Sequence, residues 1–167
     1  MIIRSMEVLT IAGDGQRISP TNSQPYNQVV KAFRVKEFDL VTQSQAHSGS
    51  QTSFGSVLAC SPLPIVSKED LKQLQIINLQ EVTLGDGTVL TVGEDITAYF
   101  GMNYFFTQSL ESVPQFLGQG KPFLQDDFFK IGFTKDPGRP VVLEFNLRIV
   151  LENGKEFVFN NQIHSIQ

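Results

Sequence analysis

Residues 141–151 read VVLEFNLRIVL, and every second side chain is large and apolar: Leu143, Phe145, Leu147, Ile149 and Leu151. A period of two is the mark of a strand with one buried and one wet face, and no helix tolerates it. The following ENGKEFVFNNQIHSI offers a second strand after an Asn-Gly turn, so the C-terminal stretch from residue 141 is a β-hairpin. Its loop length follows from burial. A two-residue loop, Asn153-Gly154, would send Phe157 and Phe159 to the polar face. A three-residue loop, Glu152-Asn153-Gly154, pairs Ile149 with Phe157, Leu147 with Phe159 and Leu143 with Ile163, and keeps the large apolar groups together. Gly154 then takes the left-handed position, and Glu144, Arg148 and His164 lie on the outer face.

The same alternation recurs upstream. VKAFRVKEF sets Val29, Phe33 and Val35 against Arg34 and Lys36, with Lys31 on the apolar side, and AYFGMNYFF aligns Phe100, Met102, Tyr104 and Phe106. Strands are expected near 2–11, 28–36, 54–60, 75–84, 88–93, 97–106, 127–133, 141–151 and 156–165. Helical signal is confined to SKEDLKQLQ, where Ser67 can cap the start and Leu71 and Leu74 share a face, giving one short helix near 68–74. The expectation is an all-β chain: an antiparallel β-sandwich of jelly-roll or Greek-key type, forming a single domain over 1–167.

LTIAGDGQR and VTLGDGTVL both place an aspartate between glycines after an apolar run. A phosphate cradle needs a helix behind such a loop, and a calcium loop needs six to eight oxygens. Neither is on offer, so both read as turns. Asp126 and Asp127 are neighbours on a strand entry and point to opposite faces, which keeps them from converging on one bond. His47, beside Ser48 and Ser50, lacks a nucleophile elbow, and Cys60 ends an apolar run as a small buried hydrophobe. No catalytic, cofactor or metal-ligating set is legible, and the expectation is a non-enzymatic protein without cofactors.

Charged residues make up 18% of the chain, and the net charge is −4. That balance argues against wrapping nucleic acid by charge. The N-terminus lacks the apolar core of a secretory signal, and no run approaches the length of a membrane span. The chain is therefore expected in a virion or the cytoplasm. Polarity comes from Gln, Asn, Ser and Thr, whose desolvation is less costly than that of ions, which suits extensive protein contacts. The leading expectation is a structural, self-assembling subunit of coat or virion type. It would form a homo-oligomer, or meet other structural proteins, through loops 42–56 and 111–122 and its termini. His47, Phe116 and Leu117 are the candidate contact residues. The alternative is a β-sandwich binding module for carbohydrate or protein, which calls for a concave face with exposed aromatics. Tryptophan is absent, leaving Tyr26, Tyr99 and Tyr104 as sugar-stacking candidates.

Overall fold

The computed structural model describes residues 1–41, 65–107, 109–125 and 127–167. Its elements are β1 (Ile2–Ala12), β2 (Val29–Asp39), β3 (Val66–Asn78), β4 (Val82–Thr83), β5 (Val89–Leu90), β6 (Phe100–Tyr104), β7 (Glu111–Ser112), α1 (Val113–Leu117), β8 (Pro122–Leu124), β9 (Phe129–Phe133), β10 (Val141–Leu151) and β11 (Glu156–Ile166). One sheet runs β1-β2-β9-β6-β7 and a second β11-β10-β3-β8, with β4 and β5 as a small separate hairpin. The pairings within both main sheets are antiparallel.

The two sheets meet through aromatic rings. Phe100 of one sheet stands edge-to-face with Phe145 of the other at 5.5 Å, and Phe33 does the same with Phe123 at 6.5 Å. Phe133 and Phe129 extend this layer, with Leu143, Leu147 and Ile149 filling the opposite side. Each fully buried ring or aliphatic contributes about 1.5–3 kcal/mol relative to exposure. The sandwich is laced at both ends by backbone bonds. Lys68 N donates to Met1 O at 2.9 Å, while Gln167 N donates to Gln24 O at 2.9 Å and Tyr26 N to Gln167 O at 3.0 Å.

The C-terminal hairpin turns as its apolar register requires. Leu151 N donates to Lys155 O, Gly154 N donates to Leu151 O, and Gly154 has φ +84°. Ile149 faces Phe157 and Leu147 faces Phe159. Beyond that point the expected register fails. Asn160 and Asn161 together oppose Asn146, with Asn161 at φ +52°, and Leu143 therefore faces His164 rather than Ile163. This bulge moves the inward positions from odd to even numbers. His164, expected on the outer face, is 0% exposed.

A second bulge accounts for the helix that does not form near 68–74. That stretch lies in β3, where Leu151 pairs with Leu71 but Val150 pairs with Gln73. The extra residue lets Leu71 and Leu74, three apart, both face the core. Ser67 caps no helix; its hydroxyl donates to Glu69 O at 2.7 Å and accepts from Phe123 N at 2.8 Å, joining β3 to β8. The short helix is instead α1, inside the expected irregular loop 111–122. The strand expected at 54–60 lies outside the described residues. Those expected at 75–84 and 88–93 divide among the end of β3 and the short β4 and β5.

Candidate functional site

The outer face of the five-stranded sheet is shaped by two glycines. Gly101 on β6 stands directly opposite Gly132 on β9, and Leu110 rests across both. A Cβ on Gly101 would come within 2.8 Å of Leu110 Cβ and 2.9 Å of Glu111 O. The bare backbone thus lets the chain between β6 and β7 lie flat against the sheet. Asn103 fixes that crossing: 4% exposed, it donates from Nδ2 to Ser109 O at 3.0 Å and to Glu111 Oε1 at 3.2 Å. Its neighbour across the sheet, Lys130, donates from Nζ to Thr107 O. Burial pushes the Lys130 ammonium below its ordinary pKa.

Held this way, Phe105, Phe106 and Thr107 form one wall of a cleft, and the turn at Gly13–Gly15 with Asn27 and Gln28 forms the other. Val30 and Lys130 make the floor. The cleft has a volume of about 420 Å³ and runs into a second depression of about 340 Å³ beside Tyr26 and Leu110, with Asn27, Val30 and Lys130 common to both. Recesses of roughly 300–1,000 Å³ are the usual size for binding sites. Phe106 is 80% exposed at its rim and stands edge-to-face with Phe105 at 5.4 Å. Phe105 is anchored in turn, its N–H donating to Phe128 O at 2.8 Å.

Alternation places Phe106 on the inner face with Phe100 and Met102, and the structure corrects this. Strand β6 stops at Tyr104, and Thr107 N donates to Tyr104 O at 3.1 Å, so the chain turns and throws Phe106 outward. No turn residue marks that point in the sequence. The first Gly-Asp-Gly becomes part of the site, though as a turn: Asp14 Oδ1 accepts from Gln16 N at 2.9 Å, and Gly15 has φ +84°. The second is a turn as well. Gly87 has φ +86°, Asp86 Oδ1 accepts from Thr88 N at 3.0 Å, and the hydrogen-bonded Lys135 ammonium holds the Asp86 carboxylate well below its usual range.

The contact residues expected from sequence do not gather here. Phe116 is 0% exposed, packed between Tyr104 and Phe129 at 5.7 and 5.5 Å, because α1 turns it inward. It is a core residue rather than an exposed tip. Leu117, half-buried, packs on the same core. His47, Cys60 and Asp126, with loop 42–56, lie outside the described residues. Asp127 Oδ1 accepts from Phe128 N at 2.8 Å, the strand-entry role expected of it. Of the three tyrosines, Tyr99 is stacked on Phe133 at 6.0 Å and Tyr104 on Phe129 at 4.8 Å, while Tyr26 lines the cleft.

No known protein family and no curated protein matches the sequence. Among solved structures, the chain is similar to the C-terminal domain of the Streptococcus agalactiae antigen I/II polypeptide BspA, at 10% identity and a TM-score of 0.33 over 96% of this chain and 49% of that one. It is also similar to the C-terminal domain of the Streptococcus pyogenes antigen I/II-family protein AspA, at 13% identity and a TM-score of 0.30 over 97% and 46%. The chain spans about half the length of these structures. Superpositions this loose assign neither family nor function.

Proposed function

We propose that this chain is a non-enzymatic binding module that takes a segment of a partner protein into the cleft between Phe106 and the Gly13–Gly15 turn. The observation that carries this reading is Phe106, a large ring left 80% exposed at the edge of a recess and braced by Phe105. Aromatic anchors beside a well-packed hollow are where binding energy concentrates. Asn27, Gln28 and Thr107 supply neutral donors and acceptors around it, which a peptide backbone can use at low desolvation cost. The lining is mainly apolar and amide groups, with Asp14 and Lys130 as its charged residues among those described, which supports a binding reading.

A protein segment suits the cleft better than a sugar. Phe105 and Phe106 meet at 86°, giving a notch for an apolar side chain rather than a flat platform, and Tyr99 and Tyr104 are already stacked on core rings. The coat-type reading has less behind it. One of its contact loops folds as β7, α1 and β8 with Phe116 in the core, and the other lies outside the described residues.

Selection of a displayed random peptide library on the folded protein tests the proposal. Enriched peptides should carry an apolar anchor and lose at least tenfold in affinity to Phe106→Ala, about 1.4 kcal/mol or more. The melting temperature should not change. Failure to enrich any peptide, or equal binding to Phe106→Ala, overturns it. Binding of an arrayed glycan that depends on Phe106 would overturn it in favour of carbohydrate.

A further inference from the structure

Lys130 stands where the two depressions meet. It lines both the cleft under Phe106 and the hollow beside Tyr26 and Leu110. Across the sheet its register partners are Asn103 on β6 and Ala32 on β2, both buried and neither charged. Its Nζ gives one hydrogen to Thr107 O, which leaves two on the ammonium for a ligand. None of the ion pairs among the described residues includes Lys130. Asp14, the carboxylate of the described lining, belongs to the opposite wall, and its Oδ1 already accepts from Gln16 N at 2.9 Å. Partial burial strips water from the Lys130 ammonium and lowers its pKa, a shift that an opposite charge beside it reverses.

We infer, resting on the peptide-binding reading above, that the segment taken into the cleft carries an aspartate or glutamate whose carboxylate meets Lys130, with apolar residues on either side of it. The charge of the floor selects the acid. Hydrogen bonds between an ammonium and a carboxylate are about twice as strong as neutral ones, and a half-buried pair is less screened by salt than an exposed one. Asp14 repels an acid from the opposite wall, which confines the carboxylate to the floor. The continuity of the two depressions selects a side chain over a chain end. Lys130 is common to both, so a segment that fills them passes over Lys130 and presents a side chain there. The notch between Phe105 and Phe106 takes the apolar residue on one side, and Tyr26 with Leu110 meets the one on the other.

Peptides enriched on the folded protein, synthesised with blocked termini, are titrated beside versions in which the acid is replaced by its amide. The wild type should bind the amide version about tenfold more weakly. Lys130→Met should bind the two alike. A second readout needs no substitution: in NMR of isotope-labelled lysine side chains, the acidic peptide should raise the Lys130 pKa and the amide version should not. Equal affinity of the wild type for both versions, with Phe106→Ala still weakening each, overturns this inference and leaves the cleft reading standing. Binding indifferent to Phe106→Ala removes the cleft reading itself. Enriched peptides without an acid, an acid preference that survives Lys130→Met, or binding lost when the C-terminus is blocked also overturn the role given to Lys130.

Discussion

Gly101 and Gly132 face each other across β6 and β9, and Leu110 lies flat across both because neither carries a side chain. Gly101→Ala should cost about 1–3 kcal/mol, the usual range for overpacking. The added methyl meets the fixed Glu111 carbonyl at 2.9 Å as well as Leu110. Gly132→Ala should cost less, since its nearest neighbour, at 3.0 Å, is the movable Cδ1 of Leu110. Urea unfolding of both variants checks the order.

Lys31→Met should stabilise the protein at neutral pH. Burial lowers the Lys31 pKa from 10.5 to about 8. Between those values the unfolded chain binds the proton and the folded one does not, so stability rises with pH across that window. Below pH 8 the penalty is complete, about 3 kcal/mol at 1.36 kcal/mol per unit. The variant's advantage should therefore be full at pH 7 and fade towards pH 10, as measured by denaturant midpoints.

His164 acts on the acid side. Its pKa falls from 6.5 to about 3, so between these values protonation favours the unfolded chain and stability drops as pH falls. Against His164→Leu, the wild type should lose about 1.4 kcal/mol more for each pH unit in that interval. Parallel acid-unfolding curves for the two proteins would refute the assignment.

The left-handed Asn161 makes the hairpin bulge testable. Asn161→Gly should be nearly neutral, whereas Asn161→Val should cost about 1–3 kcal/mol, because a β-branched residue is strained at φ +52°. Thermal melts of the two variants give the comparison.

These two bulges also mark where sequence reading stops. The alternation of Leu143 to Leu151 showed the hairpin, its three-residue loop and the buried face, because burial leaves one register open. It could not show the extra residue at Asn160–Asn161, since Asn is at home on either side of a bulge, and His164 was assigned to the wrong face. Leu71 and Leu74 mislead in the opposite direction, because a bulged strand imitates the three-residue spacing of a helix. The cleft was least legible. It depends on a turn after Tyr104 that no glycine or proline announces, and on Leu110 meeting two glycines far apart in the chain, Gly101 and Gly132.

The central claim is that the cleft is the binding surface, and amide NMR during titration with a library-selected peptide tests it most directly. The account predicts shifts concentrated at Gly13–Gly15, Asn27–Val30, Phe105–Thr107 and Lys130, absent when Phe106→Ala is titrated. Shifts centred on the β11 edge or on β4 and β5, with the cleft unmoved, would contradict it.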